Sequence, residues 1–270
     1  MYMQIKISNY RQISRLNLLY SSCIIKILFV KVGGNMKGVI VDYRIDTAEK
    51  FNLEKLGYEV IIVPPSRVLY EAINGHPDML LHLVNKDTII VHKDMETVFI
   101  KKLSTYNYSV LISDNKLQNN YPFDIILNAV NLPKIFIHNL KYTDSKLLHL
   151  LKEKNLKNVK QGYSKCSTAI ISDAAIITSD TGIAKSAEEE NIDVLLLPPG
   201  DILLPGLNYG FIGGCCGLLE NDLLAFYGSL DYYAYGKEVL DFLKKHNVKP
   251  VFLRNGKLID RGSIFRIYNL

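Results

Sequence analysis

Residues 161–180 read QGYSKCSTAIISDAAIITSD. A polar lead-in gives way to an apolar, β-branched run at 167–171, a turn at Ser172-Asp173, and a second such run at 174–178. Two short runs of this kind, separated by turn residues, predict a β-hairpin. Lys165 and Cys166 stand where the lead-in meets the first predicted strand.

The same pattern recurs along the chain. Residues 76–92 (HPDMLLHLVNKDTIIVH) align with residues 121–138 (YPFDIILNAVNLPKIFIH) with one gap. A fourth hairpin lies at 209–228 (YGFIGGCCGLLENDLLAFYG). The turns Asn85-Lys86, Asn131-Leu132, Ser172-Asp173 and Asn221-Asp222 mark successive repeats. After each hairpin a helix is predicted, at 94–103, 144–153, 181–190 and 236–246, followed by a closing strand. Asp144 (or Thr143) and Asp180 (or Thr181) are placed to cap two of these helices. The closing strands EVIIVPP (59–65) and DVLLLPP (193–199) repeat as well. A fifth hairpin is split between the termini, with its first strand at 263–268 and its second at 38–43. A helix at 47–55 and a strand at 59–63 complete it. One such unit cannot bury both faces of its small sheet, whereas five in a ring can. The expected fold is therefore α/β, a five-bladed α/β-propeller of pseudo-fivefold ββαβ units closed by pairing of the N- and C-terminal strands. An open Rossmann sheet would alternate single strands with helices behind a glycine-rich first turn. Neither feature is present.

With 270 residues and 48 % apolar composition, the chain can build a sizeable core. Residues 1–35 hold Lys6, Arg11, Arg15, Lys26 and Lys31 and no acid. Removing these five from the 32 basic residues leaves 27, equal to the 27 acids. The net charge of +5 thus resides in that segment, and a neutral body argues against nucleic-acid binding. The segment lacks the order of a signal peptide. Val32-Gly33-Gly34-Asn35-Met36 is compatible with a purine-rich ribosome-binding sequence ahead of a start at Met36. Residues 1–35 are accordingly expected to be a disordered extension or a mis-assigned start, and 36–270 one domain. The rival is a basic amphipathic arm on a membrane surface. No apolar run reaches membrane-spanning length. Four cysteines, Cys23, Cys166, Cys215 and Cys216, show no C-x-x-C spacing, which fits free thiols in a reducing cytoplasm.

Five ββαβ units with HPDM at one hairpin and a cysteine leading into another resemble the pentein, or guanidino-group-modifying, superfamily. Arginine deiminase, dimethylarginine dimethylaminohydrolase and the amidinotransferases belong to it. The resemblance covers about residues 36–270, and is greatest to a bacterial branch assigned by fold. It implies a small-molecule guanidino or amidino substrate at the pseudo-fivefold axis, attacked by a cysteine. A histidine would move protons and carboxylates would grip the planar cation. His76 and Asp78 match the family's H-x-D element, as general acid/base and guanidinium ligand. Cys166, two units later, is the expected nucleophile, and Lys165 beside it is expected to lower the thiol pKa. Cys215, after Phe211-Ile212-Gly213-Gly214, is the rival nucleophile, although those glycines also suit close backbone approach at the centre. Asp124, the repeat equivalent of Asp78, and Lys165 are further expected substrate-binding residues, and His82 and Asn128 correspond to each other deeper along their strands. Tyr121, Tyr163 and Tyr209 precede three hairpins. The family usually places an acidic element two units before its histidine, so here the roles stay open. No metal and no organic cofactor are expected, nor a nucleic-acid or membrane partner, and oligomeric state is not legible. The expected function is a hydrolase or transferase on a guanidino compound. The alternative is a non-catalytic pentein that binds a small ligand or protein partner, as the ribosome-binding translation initiation factor six does.

Overall fold

The structure, a computed structural model, describes residues 37–268. The expectations for residues 1–35 lie outside the described residues. Five three-stranded sheets form, each with an antiparallel pair and a parallel pair. Strands β1 (Lys37–Asp42) and β2 (Tyr58–Val63) belong to one. The next comprises β3 (Leu81–Leu83), β4 (Thr88–Val91) and β5 (Ser109–Ile112). Then come β6 (Val130–Asn131), β7 (Ile135–His138) and β8 (Asn155–Asn158). The hairpin β9 (Thr168–Ser172) and β10 (Ala175–Thr178) pairs onward with β11 (Asp193–Leu196). Strands β12 (Cys216–Glu220), β13 (Leu223–Phe226) and β14 (Lys249–Phe252) make the last internal sheet. The C-terminal β15 (Phe265–Tyr268) returns to pair antiparallel with β1, Lys37 opposite Tyr268.

The middle strand of each sheet carries the core. Strands β7 and β10 are buried throughout, and β1, β4 and β13 at all but their first residue. Their Val, Ile, Leu, Ala and Phe content suits strands covered on both faces. A helix bridges each parallel pair, as a parallel connection requires. Asp46 and Glu49 close a reciprocal capping box on the helix Thr47–Lys55. Asp144 and Asp180 each accept a backbone N–H of the first helical turn, at 3.1 and 2.8 Å, which fixes the starts of Ser145–Leu150 and Thr181–Glu188. Among the described residues, no helix is long and apolar enough to cross a membrane.

Two local expectations change. Ser172 belongs to β9, and the turn moves to Asp173-Ala174 with a register irregularity at Ala175/Ile176. The segments that lead into the hairpins are tight turns rather than extended strand. Pro77–Leu80 is one helical turn with proline at its first position, and Gly213–Cys215 is a 3₁₀ turn. These turns touch one another. Asp78 N–H donates to Gly262 O (3.2 Å), and Ser263 N–H to Gly214 O (2.8 Å). Gly214 N–H donates to Cys166 O (3.0 Å), and Lys165 N–H to Asn128 O (3.2 Å). His82 Nδ1 meets Leu127 O at 3.1 Å. Each sheet is thereby linked to the next. The first strands of all five units border one cavity of about 190 Å³, through Leu83, Asn131, Ile170, Gly217 and Phe265.

Candidate functional site

The turns that lead into the first and third internal hairpins bring His76, Asp78 and Cys166 together. A His76 ring nitrogen, an Asp78 oxygen and the Cys166 sulfur all lie within 4.8 Å of one another. All three residues are buried. Both Asp78 oxygens stand 3.2 Å from Cys166 Sγ, which donates to them. Asn128 holds the cysteine in place: its Oδ1 accepts from the backbone N–H of Lys165 (2.9 Å) and Cys166 (3.2 Å). Its Nδ2 donates to Cys166 Sγ at 3.1 Å. Neither ring nitrogen of His76 has a hydrogen-bond partner. A buried polar group without a partner is costly in a finished core and suits a group that waits for a ligand.

Lys165 does not act on the thiol as expected. Its Nζ donates to Ser263 Oγ at 2.9 Å, and Ser263 Oγ stands 2.7 Å from Asp78 Oδ2. The lysine therefore compensates Asp78 through the serine hydroxyl. The thiol pKa is pushed well above its ordinary value instead of being lowered, first by burial and then by the charges of Asp78 and Asp260. The physical reason is dielectric: a fully buried thiolate beside two carboxylates is disfavoured more than a lysine on the far side of Asp78 can repay.

Asp260 belongs to this cluster, and sequence inspection passed over it. It is 3 % exposed. Its Oδ1 lies 3.7 Å from His76 Nδ1 and accepts the Gly262 N–H at 3.0 Å, while Oδ2 accepts the Phe211 N–H at 2.9 Å. Burial raises its pKa above the usual carboxylate range. The signal was positional: residues 260–263 lead into the split fifth hairpin as 165–166 lead into the third. Gly262 and Ser263 both take positive φ, 67° and 74°. A Cβ at Gly262 would stand 2.2 Å from His76 Cβ, so this glycine makes room for the imidazole. At Gly213 a Cβ would meet the Thr168 and Lys165 carbonyl oxygens at 2.2 and 2.4 Å. We expect Gly213→Ala to destabilise the protein by about 1–3 kcal/mol. A thermal melt would show this, and an unchanged Tm would mean that the turns do not pack this closely.

His76, Cys166 and Asp260 border a cavity of about 260 Å³. Tyr70 and Ile73, from the loop 65–75, and Leu204, Leu207, Asn208 and Tyr209, from the loop 199–209, border it. Tyr163 and Phe211 complete the wall, their rings 6.4 Å apart. Asp78 and Lys165 do not border this cavity; Lys165 borders the smaller one. Asp124 sits behind the wall and accepts from Tyr163 Oη at 2.7 Å, and burial raises its pKa. Cys215 is elsewhere: its thiol donates to Ile212 O at 3.0 Å within the apolar cluster of the third and fourth internal sheets. Burial, with Cys216 beside it, pushes that thiol up too. His82 is held neutral by burial, its pKa lowered to about 4.

Two solved structures are similar to this chain in fold. SxtG, an amidinotransferase from Microseira wollei in the saxitoxin biosynthetic pathway, is 12 % identical, with 80 % of this chain and 88 % of that one covered and a TM-score of 0.51. A dimethylarginine dimethylaminohydrolase variant in adduct with S-methyl-L-thiocitrulline is 10 % identical, with 80 % and 92 % covered and a TM-score of 0.51. The fold is pentein-like. No curated protein matches the sequence. A sequence-family profile, "Family of unknown function (DUF6873)", matches residues 40–265. With most of its length matched, the chain belongs to the DUF6873 family.

Proposed function

We propose that the protein is a hydrolase or transferase acting on a guanidino small molecule, with Cys166 as nucleophile. The carrying observation is the convergence of Cys166, His76 and Asp260 on one cavity, with Asp78 hydrogen-bonded behind the thiol. The solved relatives named above, a guanidino-group hydrolase and an amidinotransferase, add to it. We also propose that the five sheets stand as blades around a pseudo-fivefold axis through the lead-in turns, with this cavity at one end. The link from each unit to the next, and the single cavity bordered by all five first strands, support that arrangement.

Before a cation binds, the thiol is protonated and two carboxylates lie near it. A guanidinium cation entering the cavity reverses this balance. It meets Asp260, and its positive charge beside Sγ favours the thiolate. The thiol proton passes to Asp78, 3.2 Å away, whose carboxylate is held by Ser263 and Lys165. Sγ then bonds to the guanidinium carbon while one C–N bond breaks. The departing amine takes a proton from His76, and His76 recovers one from Asp78, so the proton that left the thiol leaves with the amine. A thiouronium on Cys166 remains. Water attacking its carbon releases a urea and returns the thiol, and an amine in place of water would make the reaction an amidino transfer. His76, with both ring nitrogens unpartnered, is the group free to protonate the leaving amine and to take a proton from the attacking water.

The test is a panel of guanidino compounds assayed for release of ammonia, amine or urea. Asp260→Asn is expected to raise KM more than it lowers kcat, because it weakens the grip on the cation in both ground and transition states. A KM unchanged by that substitution would remove Asp260 from the binding role. If no compound is turned over while ligands still bind the cavity, the protein is a non-catalytic pentein.

A further inference from the structure

Resting on the guanidino function proposed above, we infer the substrate class: a guanidinium whose substituent is uncharged and apolar, a short alkyl chain or a single ring, and not the amino-acid head group of arginine. The cavity is polar only at His76, Cys166 and Asp260, apart from the tyrosine hydroxyls and Asn208. The rest of the lining includes Tyr70, Ile73, Leu204, Leu207, Tyr209 and Phe211. Among the described residues bordering the cavity there is no lysine and no arginine. Arg44 is near enough for its charge to be felt at Asp260, but its guanidinium is committed to Asp42 and to the carbonyls of Glu71 and Ala72.

An amino-acid carboxylate entering this cavity would leave water and meet no counter-charge, which is unfavourable. It would also face aromatic rings, whose negative faces attract cations and repel anions. An apolar substituent instead covers wall that water now touches: Tyr70, Leu207 and Tyr209 are 38, 48 and 43 % exposed at the rim. At about 260 Å³ the cavity falls just below the roughly 300–1,000 Å³ of drug-sized sites, which limits the substituent to a few carbons or one ring.

The test is calorimetric titration of the full chain carrying Cys166→Ser with n-butylguanidine, benzylguanidine and arginine. The expected result is that at least one of the first two binds at least tenfold more tightly than arginine. In a second variant, Cys166→Ser with Leu207→Lys, the new rim cation is expected to narrow that ratio at least threefold. Leu207 is half exposed, so the change does not disturb the core. Arginine binding as tightly as both apolar compounds would overturn the inference and leave the guanidino function standing. Selective binding of an apolar guanidine that the wild-type protein does not turn over would support the inference and end the catalytic proposal. Absence of binding by all three would end both.

Discussion

Cys166→Ala is expected to lower turnover of a guanidino substrate by roughly 10³–10⁶-fold, the usual cost of removing a covalent nucleophile, if Cys166 takes the role proposed for it. The geometry leaves no substitute, because among the described cysteines only Cys166 reaches the cavity. Cys166→Ser separates chemistry from folding. A serine hydroxyl can still donate to Asp78 and accept from Asn128, so the turn at 165–166 keeps its bonds. It is far harder to ionise than a thiol, and turnover should fall as steeply as in the alanine variant. Cys215→Ala removes a thiol that meets Ile212 O and Cys216 in an apolar cluster, and should change turnover less than about twofold in folded protein. If Cys215→Ala abolished turnover while Cys166→Ala preserved it, the roles assigned to the third and fourth hairpins would be exchanged.

The second large effect concerns acid. His82 and His138 are completely buried, and their pKa values fall from 6.5 to about 4 and about 3, chiefly through burial. Each is bonded as a neutral ring: His82 to Leu127 O, His138 to Gly162 O and Thr143 Oγ1. The folded pKa lies below the unfolded value, so the unfolded chain binds more protons as pH falls below 6.5. Stability is therefore present at neutral pH and is lost on acidification from about 6.5 toward the folded values. At pH 5 both rings are still neutral in the folded state, and each costs about 2 kcal/mol relative to pH 7. Glu49, Asp124 and Asp260 have raised values and act in the opposite direction. Urea melts at pH 7 and pH 5 should show a net loss of stability. In the folded protein, NMR titration should find the His82 and His138 rings neutral at pH 5. Either ring charging near pH 6.5 would contradict the burial described for it.

Much of the fold was legible because each unit is punctuated alike. Apolar β-branched runs flank short polar turns, and Asp144 and Asp180 announce helices through their caps. The helix Thr47–Lys55 matched its expected bounds, and the split hairpin was found where the terminal strands had been placed. The lead-ins were harder. Local sequence cannot say that Pro77–Leu80 and Gly213–Cys215 coil into single turns, because the packing of five turns against one another imposes it. The meeting of His76, Asp78 and Cys166 was implied by the resemblance, which sets the histidine and the cysteine two units apart. The direction of Lys165 did not, since it depends on Ser263 from the other end of the chain. Asp260 and Asn128 were overlooked or undervalued for the same reason. Their importance comes from partners such as Phe211 and Lys165, which no nearby residue announces.

The central claim is that Cys166 is the atom that takes the amidino group. Acid-quenched turnover, followed by peptide mass mapping, tests it most directly. A guanidino substrate found in the activity panel should leave an amidino-mass adduct on the peptide containing Cys166, absent from Cys166→Ala. An adduct on Cys215, or full turnover by the Cys166→Ala protein, would contradict it.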